Sequence, residues 1–368
     1  MKYFKFFIIL ILHFGCKHYD NPIEEVMASS NEKIKKVADS LDKYEVQIIF
    51  SEVHRDKDNK VTFTDYSFQV DDSIYFYPAS TVKFPTSLLV LEKVDKDSIL
   101  NRDTPFFVQE DSVETTLAKE IIKIFAVSDN DANNRLFEYM GQDYMNKAFK
   151  DKDINGRISH RLGVDYAEIL TTKPLIFQIN DSTLYTTTPT VNEPIVPLKI
   201  KKLQKGRGYY DGDSLIMKPK DFSYRNYLPV SSLHNIMKRF IFPELYPYDE
   251  QFHLSESDRQ FILENMKIIP RKAGYDPKEY YDSYGKFFIY GDTRELIPDA
   301  IDIYNKVGYA YGYLTDCAYI VDKKKNKEWL ITATIHVNDN QIFNDDKYEY
   351  DNIGIPFLAE LGRQLIKF

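Results

Sequence analysis

Tyr77-Pro78-Ala79-Ser80-Thr81-Val82-Lys83-Phe84-Pro85 reads as the start of a helix: an aromatic, β-rich run and Pro78 come before it, and Ser87 to Val94 continues as an apolar stretch. On a helix, a serine and a lysine three positions apart lie one turn apart on one face, so the Lys83 amine can reach the Ser80 hydroxyl. A serine hydroxyl is a weak nucleophile until a neighbour takes its proton. A lysine takes it only where burial and nearby positive charge depress its own pKa. Backbone N–H groups at a helix start also point towards an oxyanion. Pro85 falls early enough that its missing N–H disturbs only the first turns. The tetrad alone equally describes a capping serine beside a solvated lysine, and it recurs at Ser30 to Lys33, Ser40 to Lys43 and Ser283 to Lys286.

Working outward, Glu45 to Val53 and Val61 to Val70 are β-rich runs separated by Arg55-Asp56-Lys57-Asp58-Asn59, the pattern of a hairpin. A matching pair closes the chain, Tyr311 to Asp322 and Glu328 to Val337, flanking Lys323-Lys324-Lys325-Asn326-Lys327. A terminal helix is predicted from Phe357, Leu358, Leu361 and Leu365 at helical spacing. A first helix falls near Glu32 to Lys43, and the middle is mostly helical and loop-rich, with helices over Thr115 to Val127, Asp131 to Met140 and Ser255 to Met266. These elements predict an α/β (α+β) architecture: a sheet built from both ends of the chain, with a helical lobe inserted between them.

Two further segments carry chemistry. Ser128-Asp129-Asn130 ends the amphipathic helix marked by Leu117, Ile121, Ile124 and Phe125, with Asn130 or Asp131 as the cap of a new helix that Gly141 terminates. A hydroxyl there can relay a proton to a leaving nitrogen, although Ser-Asp-Asn is also simply a good loop sequence. Lys306-Val307-Gly308 precedes the strand-like Tyr309 to Ile320; a lysine at an edge strand supplies positive charge, and a glycine lets a substrate backbone come close. Lys272-Ala273-Gly274 is a rival match but leads into the polar Tyr275 to Glu279, a poorer strand. The seven His are scattered, with no metal-ligand spacing, so no metal or other cofactor is expected, and His160 and His336 read as structural. Neither a GxSxG elbow nor a phosphate-binding glycine loop occurs.

The order SxxK, Ser-Asp-Asn about fifty residues on, then Lys-x-Gly near the C-terminal hairpin resembles the active-site motifs of class A β-lactamases and penicillin-binding proteins. The resemblance spans about residues 40 to 368 and is poor in the middle third. It implies a five-stranded antiparallel sheet flanked by helices, with an all-helical lobe and the site between: an α/β lobe from about 41–75 and 295–368, and a helical lobe from about 76–294. It implies that Ser80 forms an acyl-enzyme, Lys83 assists its deprotonation, Ser128 passes a proton to the leaving nitrogen and Asn130 positions substrate. Lys306 would support Ser128 and attract the substrate carboxylate, and the N–H groups of Ser80 and Tyr309, beside Gly308, would form the oxyanion hole. The chain departs from the family twice. Val307 stands where a Ser or Thr hydroxyl binds the carboxylate, and no ExxLN segment supplies the deacylating glutamate. Glu168, in Glu168-Ile169-Leu170-Thr171, lies at about the right distance and is the candidate base, set against an ordinary exposed loop carboxylate.

Composition fits this reading. Hydrophobic residues at 43% and aromatics at 15% exclude disorder, and a net charge of −8 offers no basic face to nucleic acid. The Lys-rich stretch from Lys199 to Arg207 reads as a solvated loop. Lys2 and Lys5, an apolar run from Phe6 to Leu12 and Gly15-Cys16 have the order of an export signal, and the Gly-Cys junction resembles a bacterial lipobox. Residues 1–15 are then a signal peptide, with Cys16 lipidated and 16–40 a tether and first helix. The catalytic domain spans 41–368 and faces the periplasm or cell exterior. Cys317 would be left alone, without a disulfide. The expected substrate is a β-lactam, hydrolysed through Ser80. A cell-wall peptide D,D-carboxypeptidase or penicillin-binding acyltransferase is the alternative, and a non-catalytic binding lipoprotein a second one. Nothing in the sequence sets the oligomeric state; a monomer is the expectation.

Overall fold

The computed structural model describes residues 19–368; the export signal and Cys16 lie outside the described residues. Three short helices, α1 (Pro22–Met27), α2 (Glu32–Ala38) and α3 (Leu41–Tyr44), lead into the hairpin of β1 (Gln47–Arg55) and β2 (Val61–Phe68). A 3-10 turn over Ala79–Val82 runs into α4 (Lys83–Val94), and after β3 (Phe106–Val108) come α5 (Leu117–Val127), α6 (Asn130–Met140) and α7 (Gln142–Asp151). Short strands follow: β4 (Leu175–Asn180), β5 (Thr183–Thr186), β6 (Gln204–Lys205), β7 (Gly208–Asp211), β8 (Ser214–Ile216) and β9 (Lys220–Asp221). Next are α8 (Val230–Ile241) and α9 (Glu256–Met266), and the chain closes with β10 (Ile301–Ala310), β11 (Tyr313–Asp322), β12 (Lys327–His336), β13 (Ile342–Phe343) and α10 (Ile355–Leu365).

The main sheet has five strands in the order β10-β11-β12-β1-β2, every neighbour antiparallel. Both ends of the chain build it, as the sequence pattern predicts. Alternation along each strand assigns its two faces. Leu314, Ala318 and Ile320 of β11 and Ile331, Ala333 and Ile335 of β12 face a layer of α1, α2 and α10 through Val26, Ile34, Phe357 and Leu361. Cys317, Tyr319 and Leu330, on the opposite face, join the core that holds Leu233, Ile236 and Met237 of α8 and the apolar sides of α4 to α6. Because β11 is covered on both faces, it reads as a nearly unbroken apolar run rather than a clean alternation.

Three expectations are corrected. Tyr309 to Ile320 is not one strand: β10 ends at Ala310, Tyr311 (φ 54) and Gly312 (φ 81) make the two-residue turn that both positive φ values allow, and β11 starts at Tyr313. Lys306 therefore lies inside β10 and not at a strand start. The 199–207 stretch is solvated only in part, because Lys205 enters β6 and is buried against Glu45 at 2.6 Å. The helix after Ser128 is capped by Asp129, whose carboxylate accepts the Ala132 N–H at 2.8 Å, and not by Asn130 or Asp131. That assignment leaves the Asn130 amide free for other work.

Candidate active site

The half-buried Ser80 sits in the 3-10 turn that feeds α4, at the seam between helical lobe and sheet. Ala79, directly before it, is left-handed (φ 47), as is Ser128 (φ 59) at the C-cap of α5. Each costs about 1–2 kcal/mol for a residue with a Cβ, and such strain persists where surrounding packing imposes it, commonly at functional sites. The packing here is visible. The aromatic run ahead of Ser80 is buried, with Tyr77 stacked on His160 and edge-on to Tyr311. The sheet edge presses on the turn so closely that a Cβ on Gly308 would lie 2.8 Å from the Pro78 carbonyl oxygen and the Thr81 nitrogen and 2.9 Å from the Ser80 nitrogen.

Lys83, at the first turn of α4, is fully buried, and its amine donates to the Ser128 carbonyl, to Asn130 Oδ1 at 2.7 Å and, at 3.5 Å, to Ser128 Oγ. Lys306 reaches the same hydroxyl from the other side, Nζ to Ser128 Oγ at 2.8 Å, and also donates to the Val307 carbonyl at 2.7 Å. Ser128 thus bridges two lysines. Register explains why Lys306 points there: it pairs with Cys317 and shares its face, towards the helical lobe, whereas Val307 pairs with Asp316 and points into the layer under α10.

Burial lowers the Lys83 pKa to about 7, with Asp129 and Asp131 pulling the other way. Burial, and then the charge of Lys83, holds Lys306 well below the ordinary lysine range. The Lys83 amine is therefore poised to exchange protons near neutrality, as general acid–base work requires, and Lys306 gives up its proton more readily than an ordinary lysine. The other three tetrads lack this setting. Lys33 and Lys43 are paired with Asp292 and Asp339. Ser283 donates its hydroxyl to the Thr293 carbonyl, while Lys286 is held by the Met266 and Ile303 carbonyls and by Asn305 Oδ1. The rival Lys272 is exposed in a 3-10 turn outside any strand.

Of the residues singled out from sequence, Lys83, Ser128, Asn130 and Lys306 form one hydrogen-bonded group, with Ser80 and Gly308 in backbone contact beside it and Tyr309 next on β10. Glu168 is not part of that group. Its carboxylate is exposed and paired with Arg225 at 2.7 Å, and the acids whose charge acts on Lys83 are Asp129 and Asp131. A Glu168→Gln variant is accordingly expected to change the rate of acyl release by less than about threefold, as befits an exposed ion pair; a hundredfold loss in a pre-steady-state assay would restore it as the base. His160 is buried and His336 half-buried, each bonded to a backbone carbonyl, of Arg161 and Tyr311.

Sequence reasoning missed the support behind Lys306. Asn305 Nδ2 donates to Asp316 Oδ1 at 2.8 Å and to the Gly285 carbonyl, while Asp316 Oδ2 accepts the N–H groups of Phe287 and Phe288. Burial raises the Asp316 pKa to about 6. The signal was the polar pair Asn305-Lys306 inside a β pattern, where two successive polar residues must each find a partner. Among the described residues no group of His, Cys, Asp and Glu is placed to hold a metal, and no helix is long and apolar enough to cross a membrane.

Residues 30–190 match the model of the beta-lactamase enzyme family, a span that contains Ser80, Lys83, Ser128 and Asn130 and stops short of Lys306. The match covers 161 of the 368 residues, and the structure around it has the β-lactamase-like fold. Its fold is shared with the beta-lactamase of Desulfarculus baarsii (TM-score 0.53, 12% identity, 93% of this chain and 98% of that one). It is shared also with the class A beta-lactamase of Mycobacterium abscessus (TM-score 0.51, 12% identity, 94% and 98%). A third likeness is to PBP-A, captured as an acyl-enzyme complex with penicillin G (TM-score 0.51, 12% identity, 94% and 97%). No protein of curated function matches the chain.

Proposed function

We propose that the protein opens β-lactams by acyl transfer to Ser80. The Ser80 hydroxyl attacks the lactam carbonyl as unprotonated Lys83 accepts its proton, and the Ser80 and Tyr309 N–H groups take the developing oxyanion. The C–N bond then breaks as Ser128 gives its proton to the leaving nitrogen and is reprotonated from the lysines on either side. The observation that carries this reading is the placement of Ser128 Oγ between Lys83 and Lys306, at 3.5 and 2.8 Å. The penicillin G complex of PBP-A supports it by likeness of fold.

Hydrolysis of the acyl-enzyme is the slow step in this proposal, because Glu168 is engaged with Arg225. The same observation favours a second reading, a penicillin-binding D,D-carboxypeptidase or acyltransferase acting on cell-wall peptide, in which the β-lactam adduct persists. Turnover of a chromogenic cephalosporin compared with Ser80→Ala separates the two. Steady hydrolysis above the variant favours the lactamase, and a single stoichiometric burst favours the penicillin binder. The lysines and apolar run before Cys16 support an exported, lipid-anchored location.

A further inference from the structure

We propose that Lys286 is a positioning residue for the acyl transfer: it locks Asn305 onto Asp316 and so holds Lys306 on the Ser128 hydroxyl. This rests on the acyl-transfer reading of Ser80. Lys286 closes the tetrad that begins at Ser283, whose hydroxyl is committed to the Thr293 carbonyl, so the two are not a nucleophile and its base. The buried Lys286 amine has three donors and meets three acceptors. These are the Met266 carbonyl at the end of α9 (2.6 Å), the Ile303 carbonyl of β10 (3.1 Å) and Asn305 Oδ1 (2.6 Å). Burial draws its pKa down to about 7, and the charge of Asp316 opposes that. A buried amine placed so completely ties the end of α9 to the strand that carries Lys306.

The consequence falls on the Asn305 amide. With Oδ1 taken by Lys286, Nδ2 donates to Asp316 Oδ1 and to the Gly285 carbonyl, both at 2.8 Å. The opposite orientation would set Nδ2 against an amine that donates and Oδ1 against a carboxylate that only accepts. Lys286 thus decides which way the amide points. Asp316 Oδ2 takes the N–H groups of Phe287 and Phe288, at 3.1 and 3.2 Å, from the residues directly after Lys286. Hydrogen bonds therefore close a ring through residues 285–288, β10 and β11. Alternation puts Asn305 and Lys306 on opposite faces, so the ring grips the strand one residue before the amine that reaches Ser128 Oγ at 2.8 Å. Charge works in the same place. After burial, Lys83, Asp316 and Lys286 act on Lys306, the two lysines lowering its proton affinity and Asp316 raising it. Lys286, with Asn305 and the Phe287 and Phe288 N–H groups, also favours the Asp316 carboxylate against its burial.

The test is a double-mutant cycle on the rate of adduct formation from one penicillin, followed by mass, in wild type, Lys286→Met, Lys306→Met and the double variant. Methionine suits a buried site and keeps the side chain's length, and a thermal melt checks that each variant is folded. Lys286→Met is expected to slow acylation about tenfold in wild type, as a small misplacement at reacting groups does. In the Lys306→Met background it should cost less than about twofold, because a residue that acts through Lys306 has nothing left to position. Asn305→Ala breaks the same chain at its other end and should repeat both results, which keeps the test open if Lys286→Met does not fold. Equal losses in the two backgrounds, or no loss in wild type, overturn the proposal. Carboxyl NMR adds a signature that a merely structural role would not move. Asp316 should titrate at about 6 in wild type and higher in Lys286→Met, where a positive charge that favoured the carboxylate is gone. An unchanged Asp316 titration overturns the lock whatever the rates show. No adduct on wild type would instead overturn the reading of Ser80, and the Asp316 titration would still decide the lock.

Discussion

Lys83→Met is expected to slow acylation of Ser80 by about a thousandfold, within the range that a positioned acid–base group contributes. Methionine keeps the length of the side chain and suits a fully buried site, so the change removes the amine without opening a large cavity. It costs the hydrogen bonds to the Ser128 carbonyl and Asn130 Oδ1, but it also relieves the burial of an amine whose pKa is already depressed. The fold should survive, and a thermal melt checks that. The wild-type pH profile gives a second signature. Lys83 must be unprotonated to accept the serine proton, and its pKa lies at about 7. Acylation therefore rises as pH climbs through 7 and levels off above it, and in Lys83→Met that rise disappears. Stopped-flow acylation between pH 5 and pH 9 reads both effects; a wild-type rate that fell through neutrality would remove Lys83 as the base.

Gly308→Val is expected to abolish acylation outright while leaving the protein folded. The atoms that any Cβ at 308 meets are backbone, the Pro78 oxygen and the nitrogens of Thr81 and Ser80, and they cannot swing aside as a flexible side chain would. Relief requires the edge strand and the 3-10 turn to part, which moves the Ser80 N–H relative to that of Tyr309. A displacement of about 1 Å at reacting groups costs about a hundredfold, and loss of an oxyanion donor about as much again or more. Gly308→Ala should lie between wild type and valine. Because β10 keeps its pairing with β11, circular dichroism should change little while the covalent adduct is lost. Retained acylation in the valine variant would mean that the close approach of strand and turn does not shape the oxyanion site.

The parts of the molecule legible in sequence are those where a local pattern and a tertiary role coincide. The terminal hairpins show β-rich runs broken by charged turns, and Phe357, Leu358, Leu361 and Leu365 all bury the face their spacing predicts. Ser80, Lys83, Ser128, Asn130 and Lys306 stood out through their order along the chain, since each triplet alone is common. β10 was hidden because its working residues break its alternation: Asn305 and Lys306 are buried polar groups whose partners, Asp316 on the neighbouring strand and Ser128 in a distant segment, are met only once the sheet has formed. The apolar stripe of α8 was present in Leu233, Ile236, Met237 and Phe240, but it lies in the long Pro-containing stretch from Pro174 to Pro247 where no neighbouring pattern framed it. Glu168 illustrates the opposite failure. Distance along the chain placed it correctly for a base, yet the side chain turns to Arg225, a partner that linear spacing cannot reveal.

Intact-mass spectrometry of the protein mixed with a single penicillin, sampled over time, tests the central claim most directly. The account predicts a gain of one penicillin mass on wild type, mapped to the peptide bearing Ser80, absent from Ser80→Ala and lost more slowly than it forms. An unmodified wild type, or an adduct that persists in Ser80→Ala, would contradict it.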